Sequence, residues 1–318
     1  MPTLRIFFHD NCFDGASSAA IFSDFYRQVR DPDADIALTG MHHTSGDPFA
    51  GIDDLGDDSA CVDFRFTPRV TWWFDHHVSA FQPPSLEAEF LADQSGKKFF
   101  DPTSKSCAKL EAGILRETFS WQPSPVFEEL IHWADIIDGA QFATAAIPVE
   151  LSEPALKIMT WLENNHDREL SHRLIFLLGH RPLAELCTEP WIAEPLVPLL
   201  EAHRRHIDLI AERASVTGGV VTFDLADDGV AAHNKFIAYY LFPDASYTVG
   251  VTASTDRAKV SVGFSPWSKT PRRHNIAAIC ERYGGGGHPV VGAVTLPPGQ
   301  LARARDIARD IARELAAP

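Results

Sequence analysis

Acidic and imidazole side chains recur in short segments of this sequence. The segment His9–Gly15 carries a histidine, two acids and a cysteine, the triplet Asp75-His76-His77 follows an apolar run, and Tyr283–His288 places four glycines before a histidine. Carboxylate and imidazole donors with few thiolates suit Mn²⁺, Mg²⁺ or Zn²⁺, and an Asp-rich set leans toward Mn²⁺. Two such ions about 3.5–4 Å apart can clamp the attacking and leaving oxygens of a displacement at phosphorus. We therefore expect a metal site that acts on a phosphate.

Short apolar runs typical of buried β-strands position these groups. The runs Leu4–Phe8, Ser59–Val62 and Val70–Phe74 each end beside an acid or histidine, the middle one beside Asp63. A helix of small residues begins at Gly15, which completes a βα unit. Ligands of open α/β sheets gather outside the carboxyl ends of the strands. We expect an α/β fold with a parallel-sheet core.

The rest of the chain changes character twice. After the triplet it is polar and loop-like to about Asp101. Helical spacing of apolar residues then occupies four stretches: Ser106–Phe119, Val126–Ile137, Pro154–Leu183 and Trp191–Ala214. Beyond Gly218 strand patterns take over in three stretches: Val220–Phe223, Tyr247–Thr252 and Lys259–Val262. Leu301–Leu315 predicts an amphipathic closing helix. We predict a catalytic metal-binding domain at 1–185, a helical connector at 186–215 and a smaller α/β substrate-binding domain at 216–318.

Composition limits the classes of function. With 318 residues and 45% hydrophobic content, the chain can bury a large core. It has no run of about 18 uncharged apolar residues and no room for a signal peptide before the first motif, so we expect a cytoplasmic protein without a membrane partner. Five cysteines without paired spacing indicate reduced thiols.

The net charge of −15 argues against binding to long duplex DNA, which requires clustered basic side chains. Any phosphorylated substrate is expected to be small or short, with metal ions supplying the local positive charge. The sequence leaves a homodimer open.

The motifs and their order resemble the DHH phosphoesterase superfamily, in the subgroup with a C-terminal DHHA1 domain. The namesake triplet is Asp75-His76-His77, the lone strand-end acid is Asp63, and the DHHA1 signature is Tyr283–His288. The resemblance covers nearly the whole chain. It implies a DHH domain and a DHHA1 domain that grips substrate across a cleft. It also implies a hydrolase that cleaves phosphodiester bonds of short oligoribonucleotides, dinucleotides or small nucleotide phosphates with water activated by two divalent ions.

The same resemblance implies a ligand set. Asp63 would bridge the two ions, Asp75 would bind one of them and His76 the other, while His77 would contact substrate or orient the site. The first ion would have His9, Asp63 and Asp75, with Cys12 left open as a further ligand. The second ion would have Asp14, Asp63, His76 and a later acid.

Cys12 departs from the family pattern, because an aspartate usually stands at its position. A thiolate ligand would favour Zn²⁺ or Fe²⁺ over Mn²⁺. The alternative is a small buried turn residue.

Two further pairs of residues are candidates for the site: two acids that could bind the second ion and two histidines that could lie at the substrate entrance. Asp135 and Asp138 lie three residues apart in a predicted helix and so face nearly the same side, and we favour Asp135 as the ligand. His42 and His43 lie in a polar stretch and are predicted to be exposed loop residues, with a place at the substrate entrance as the alternative.

The second domain is expected to bind the phosphate. Backbone amides of Gly285, Gly286 and Gly287 can approach an anion closely, and His288 follows them directly. Many relatives carry an arginine where this chain has Gly263, so Arg272, Arg273 and His274 are candidates for that contact.

A catalytically weak nucleotide- or metal-binding protein of the same fold is the alternative function. Cys12 and Gly263 would then mark a degraded site, and metal would bind without hydrolysis. A pyrophosphatase is disfavoured because that branch carries a different C-terminal domain.

Overall fold

The structure, a computed structural model, describes residues 3–43 and 46–317 and divides into two compact units. The first unit holds residues 1–141 and 152–196, and the second holds residues 142–151 and 197–318. The strands are β1 (Thr3–His9), β2 (Asp35–Met41), β3 (Asp58–Val62), β4 (Trp72–Asp75), β5 (Lys98–Phe100), β6 (Ser215–Thr217), β7 (Val220–Asp224), β8 (Tyr247–Ala253), β9 (Ala258–Phe264), β10 (Gly286–His288) and β11 (Val291–Leu296). The helices are α1 (Phe13–Phe25), α2 (Leu86–Ala92), α3 (Cys107–Phe119), α4 (Pro125–Asp138), α5 (Ala146–Glu150), α6 (Pro154–Asn164), α7 (Arg168–Leu178), α8 (Leu183–Leu186), α9 (Pro190–Arg213), α10 (Ile237–Leu241), α11 (Ile276–Glu281) and α12 (Leu301–Ala316).

The first unit is built on a parallel sheet with the strand order β2-β1-β3-β4-β5. The strands β1, β3 and β4, which carry the predicted site residues, are neighbours in its middle. Their carboxyl ends therefore meet at one edge. The predicted α/β class with a parallel N-terminal sheet is confirmed.

Both faces of this sheet are buried, as parallel sheets require. Adjacent strand residues point to opposite faces, so Trp72 and Trp73 enter different cores. The Trp72 ring lies 5.6 Å from Phe22 of α1 and 5.2 Å from Phe119 of α3. The Trp73 ring lies 4.9 Å from Phe66 on the other side.

Two sequence predictions in this unit are wrong. The stretch before Asp101, predicted to be a loop, contains α2 and β5; α2 buries none of its residues and β5 is only half-buried, so neither shows an apolar run. The stretch from Pro154 to Leu183 is not one helix, because α6 ends at Asn164. The Asp167 carboxylate then accepts the amide protons of Glu169 and Leu170 and caps the start of α7.

The second unit contains a mixed sheet with the strand order β10-β11-β9-β8-β7-β6, in which β7 and β8 are parallel. Its core joins alternate residues of β9, such as Val260 and Val262, to Ile307 and Ile311 of α12. The predicted smaller α/β unit and its amphipathic closing helix are confirmed.

The chain passes from one unit to the other at α9 and also at the segment 142–151. Helix α9 begins in the first unit and ends in the second, and it lies within the predicted connector 186–215. The segment 142–151 belongs to the second unit, where the Trp267 indole donates to the Phe142 carbonyl (2.8 Å) and the Asn234 amide donates to the Pro148 carbonyl (2.7 Å). No feature of the sequence indicated that the segment 142–151 belongs to the second unit. None of the helices within the described ranges is long and apolar enough to cross a membrane.

Candidate metal centre

The acids and histidines predicted from the sequence lie at the carboxyl edge of the parallel sheet. His9 is the last residue of β1, Asp75 is the last residue of β4, Asp63 directly follows β3, and Asp14 lies in the first turn of α1. Because β1, β3 and β4 are adjacent and parallel, residues far apart in the sequence converge at one place.

Asp63 lies at the centre of this cluster. One carboxylate oxygen, Oδ2, is 3.4 Å from His9 Nδ1. The other, Oδ1, is 3.5 Å from His76 Nε2 and 3.7 Å from His77 Nδ1. Three imidazoles therefore face a single carboxylate that is almost fully buried.

The cluster contains two groups of three ligand atoms, and Asp63 belongs to the first of them. In the first, His9, Asp63 and His77 each offer an atom within 4.8 Å of the others. In the second, Asp14, His76 and Asp138 do the same. Since His76 Nε2 is also 3.5 Å from Asp63, the Asp63 carboxylate stands between the two groups.

The backbone and the hydrogen bonding of Asp63 are unusual. Its φ is +54°, a region that costs energy for a residue with a Cβ. Its amide donates to the Phe74 carbonyl (3.0 Å), which fixes this conformation against β4. Both of its carboxylate oxygens and His76 Nε2 are buried without a hydrogen-bond partner among the described residues. Such an arrangement is expensive unless a charge compensates it, and backbone strain of this kind concentrates at functional sites.

The donor set fits divalent cations. The facing oxygen and nitrogen atoms are 3.4–3.7 Å apart, longer than a hydrogen bond. Two ligands that each bind one ion at about 2.0–2.2 Å are separated by roughly 3–3.5 Å, close to this spacing. Carboxylates and imidazoles without a thiolate suit Mn²⁺, Mg²⁺ or Zn²⁺.

The electrostatics of the cluster also fit divalent cations. Burial raises the pKa of Asp14 well above its usual range, and the nearby Asp63 and Asp138 add to the effect. Burial favours neutral His76, but the carboxylates of Asp63, Asp14 and Asp138 outweigh it and raise the pKa of His76 to about 10. Burial also opposes ionisation of Asp63, yet the imidazoles of His76 and His9 hold its pKa well below its usual range. Protons thus neutralise carboxylates that a divalent ion would neutralise instead.

Neighbouring elements orient the second group. The two oxygens of Asp14 accept the amide protons of Cys107 (2.6 Å) and Ala108 (2.9 Å), the first residues of α3. Those amides have no partner within their own helix, so the helix start is a natural support for a carboxylate. His76 Nδ1 lies 3.2 Å from the Ser104 carbonyl, which directs Nε2 toward the acids. The Ser106 side chain caps α3 by accepting the amide proton of Lys109.

Asp75 is bound to its own loop. Its Oδ1 accepts from the backbone amide of His76 (2.8 Å) and lies 2.7 Å from His77 Nδ1. Its Oδ2 is buried and has no hydrogen-bond partner in the described ranges. Asp75 belongs to neither group of three among the described residues, although its second oxygen lies at the same edge. Its role as a ligand stays a prediction.

Of the two acids predicted in α4, the structure brings Asp138 and not Asp135 to the cluster. Asp138 Oδ2 is 3.4 Å from His76 Nε2. Asp135, one turn earlier, pairs with Lys109 Nζ at 2.6 Å. The preference for Asp135 rested on helical spacing alone, which does not distinguish two positions on nearly the same face.

Cys12 is likewise placed beside the cluster but in neither group of the described residues. It precedes α1 and makes no side-chain cap. Burial raises the pKa of its thiol well above the ordinary value, and the acids Asp63 and Asp14 raise it further. These surroundings favour a protonated thiol while no metal is bound. Because Cys12 lies in neither group of ligand atoms, the geometry adds no support for it as a ligand, and that role stays a prediction.

His43, predicted to be an exposed loop residue with the substrate entrance as the alternative, is exposed and lies beside the cluster. Its ring centroid lies 4.7 Å from His9 and 6.2 Å from His77, and the ring stacks on Phe64 at 4.8 Å. Partial loss of solvation, together with the imidazoles of His9 and His77, lowers the pKa of His43 to about 4, so the ring is neutral at pH 7. His42 is exposed as well, which agrees with the prediction for both residues, and its Nε2 lies 3.5 Å from Asp10 Oδ2. The available signal was β2, because recognising that strand would have placed His43 just beyond its carboxyl end.

The predicted phosphate loop of the second unit is largely a strand. Gly286–His288 form β10, which pairs with β11. A Cβ at Gly285 would lie 2.2 Å from the Ala293 carbonyl oxygen, and one at Gly287 would lie 2.3 Å from that of Val291. Close approach of β11 therefore requires both glycines. The amide of Gly285 donates to the Cys280 carbonyl (2.9 Å), whereas His288 is exposed.

The two predicted arginines differ in their surroundings. Arg272 Nη1 donates to the carbonyls of His274 (2.8 Å) and Pro289 (3.1 Å), which ties its loop to the turn after β10. Arg273 is exposed, and its backbone amide donates to the Tyr247 hydroxyl (3.0 Å). A Cβ at Gly263 would lie 2.5 Å from the Tyr239 hydroxyl. The Tyr239 side chain thus fills the place where a longer residue at position 263 would begin.

Comparison with known proteins shows the fold. No family model matches the sequence, and no curated protein matches it in sequence. Among solved structures, the pGpG-specific phosphodiesterase PggH from Vibrio cholerae superposes with a TM-score of 0.71 at 18% identity, over 99% of this chain and 100% of that chain.

Two further solved structures are similar over most of their length. The DHH domain of a protein assigned to a family of ribosomal proteins has a TM-score of 0.58 at 12% identity, over 99% of this chain and 88% of that chain. An exonuclease RecJ bound to manganese has a TM-score of 0.53 at 13% identity, over 98% of this chain and 90% of that chain. The chain therefore has the fold of these proteins, which confirms the predicted DHH resemblance at the level of the fold.

Proposed function

We propose that this protein is a metal-dependent phosphodiesterase that hydrolyses short oligonucleotides, dinucleotides or small nucleotide phosphates. The observation that carries the proposal is the Asp63 carboxylate, which is buried without a hydrogen bond from the described residues. It belongs to one group of ligand atoms and lies 3.5 Å from His76 of the other. The likeness to a pGpG-specific phosphodiesterase over the full length of both chains supports the reaction class. The net charge of −15 supports a short substrate over a long duplex.

The residues would divide their roles as follows. Asp63 would bridge two divalent ions, with Asp14, His76 and Asp138 on one of them. The other would have His9 and His77, although the resemblance gave His77 a contact with substrate, and Asp75 remains a candidate ligand of that ion. When bound, the ions lower the pKa of a water molecule and neutralise the phosphate. Mn²⁺ is the favoured ion, because the set consists of carboxylates and imidazoles.

The surrounding groups would hold this arrangement. The first amides of α3 fix Asp14, and the Ser104 carbonyl fixes the tautomer of His76 with Nε2 free to bind. His43 would contact the substrate at the open side of the first group. In the second unit, His288, Arg273 and the backbone near Gly286 are the candidates for contacts with the rest of the substrate.

The test combines metal content with hydrolysis. We expect the purified protein to bind close to two Mn²⁺ and to hydrolyse pGpG and bis-p-nitrophenyl phosphate, with little action on pyrophosphate. Asp63→Asn should lose both bound metal and activity, by at least about 100-fold in rate. Asparagine tolerates a positive φ, so this variant is expected to fold.

The exposed Asp53→Asn removes the same charge elsewhere and serves as the matched control. Wild-type hydrolysis by Asp63→Asn would contradict the bridging role. Two bound Mn²⁺ without hydrolysis of any diester would favour the alternative, a binding protein of the same fold.

A further inference from the structure

A groove of about 660 Å³ lies in the second unit, between α12 and the β6–β8 side of the mixed sheet. Its floor is aliphatic and includes Val220, Val249 and Val251 together with Ala308 and Ala312. One end is closed where the turn between β6 and β7 approaches α12, since a Cβ at Gly218 would lie 2.9 Å from Ala316. The volume is within the range of small-molecule sites, about 300–1,000 Å³.

The charged residues along this groove are mainly arginines. Arg305, Arg309 and Arg313 of α12 line one side, Arg213 adds a fourth guanidinium, and Asp224 is the acid that lines it. Residues four apart lie on one face of a helix and rise by about 6 Å along it. The arginines thus form a row along the groove in a protein whose net charge is −15.

All four arginines are ion-paired, and the pairs of Arg309 and Arg313 are the most exposed. Arg305 is held by Asp224 and Asp227, both at 2.6 Å, and Arg213 pairs with Asp228 at 3.1 Å. Within the described ranges, Arg309 and Arg313 pair only with Asp306 and Asp310 on the same exposed helix surface, and their side chains are 65% and 77% exposed. Exposed pairs of this kind contribute little, so an anion in the groove can replace them.

The opposite side of the groove is polar. Ser215 and Thr217 of β6 and Thr222 of β7 line it, and the hydroxyls of Ser215 and Thr222 are 2.8 Å apart. Each hydroxyl keeps further capacity to donate or accept. The groove therefore offers guanidinium groups on one side, hydroxyls on the other and an aliphatic floor between them.

We propose that this groove binds a nucleoside monophosphate, with the phosphate on Arg309 and Arg313, the sugar against the hydroxyls of β6 and β7, and the base on the aliphatic floor. Guanidinium groups match phosphate oxygens in bidentate geometry. Inorganic phosphate would leave most of the volume empty. A fatty acid would use the floor and one cation but leave the hydroxyls without a partner. The groove shares no residue with the proposed metal centre, and its occupant does not depend on the proposed reaction.

The experiment uses the full chain carrying Asp63→Asn, with chelator present, so that hydrolysis does not interfere. Guanosine 5′-monophosphate is titrated by calorimetry, and one site is expected. Arg309→Ala combined with Arg313→Ala should weaken binding at least 10-fold. Arg303→Ala is the matched control, because Arg303 lies on the same helix but outside the groove. Circular dichroism checks that each variant melts like its parent.

Further measurements distinguish this ligand from other molecules that could fill the groove. Unchanged binding by the double arginine variant would overturn the proposal. So would equal affinity for inorganic phosphate, or binding of decanoate without binding of the nucleotide. A parent that is dimeric by light scattering and a double variant that is monomeric would show instead that a second copy covers the groove. Hydrolysis by the chain without Asp63→Asn is measured separately, so failure of the proposed reaction and failure of this site give different results.

Discussion

Asp63 concentrates the energetic cost of this site in one residue. Its carboxylate is buried and its oxygens lack hydrogen bonds from the described residues, and both features disfavour the metal-free fold. Its positive φ adds backbone strain whether or not a metal is bound. Three imidazoles offset part of this cost electrostatically. A pair of cations would offset more of it, because each ion would bind a carboxylate oxygen directly.

The two acids of α4 provide a test at this scale. Asp138→Asn should lower the affinity for Mn²⁺ at least about 10-fold, because its oxygen faces His76. Asp135→Asn should change that affinity less than about 3-fold, since it loses only a pair with the exposed Lys109. Calorimetric titration of both variants measures the difference. The reverse ranking would restore the prediction made from the sequence.

His43 and His42 form a second matched pair. His43→Ala should raise KM by roughly 5-fold or more with little change in kcat, because its ring lies beside His9 and His77 but in neither group of ligand atoms. His42→Ala should leave both parameters nearly unchanged. Steady-state kinetics on pGpG would separate the two effects. A loss of bound Mn²⁺ in His43→Ala would show instead that His43 is a ligand.

At the scale of elements, the site depends on where strands and helices end. Three adjacent strand ends supply His9, Asp63 and Asp75, and the start of α3 supplies two amides to Asp14. A ligand held by helix amides cannot turn away without leaving those donors unpaired. The proposed metal centre therefore depends on the position of α3.

The glycines around β10 allow a test of whether packing against β11 requires glycine at position 285. Gly285→Ala should destabilise the protein by about 1–3 kcal/mol, because the added methyl would meet the Ala293 carbonyl of β11. Gly286→Ala is the control, since the space around it is open. Thermal melting of both variants decides the matter. If Gly286→Ala instead weakens substrate binding without loss of stability, its backbone contacts the ligand.

At the scale of the whole molecule, metal binding should be visible in stability. An ion that binds only the folded state at 100 times its Kd adds about 2.7 kcal/mol. For a unit of this size, that corresponds to an increase in Tm of about 5–10 °C. We expect Mn²⁺ to produce this increase, chelator to reverse it and Asp63→Asn to lose most of it, by calorimetric melting. An equal increase in Asp63→Asn would place the bound ions elsewhere.

The sequence alone determined the local features of this protein. Apolar runs ending in Asp63 and Asp75, and the small residues after Gly15, specify strands and a helix through periodicity that does not depend on distant contacts. From those elements the parallel sheet and the edge that carries the acids follow directly. Elements with little burial, such as α2 and β5, left no such pattern.

The tertiary structure distinguished residues that local sequence patterns cannot tell apart. Asp135 and Asp138 share a helix face, and only the position of α4 brings Asp138 to His76. His43 gains its neighbours from the packing of β2 beside β1, and the glycine run becomes a strand because β11 lies against it. Each of these outcomes depends on contacts between residues distant in the sequence, where spacing along the chain carries no information.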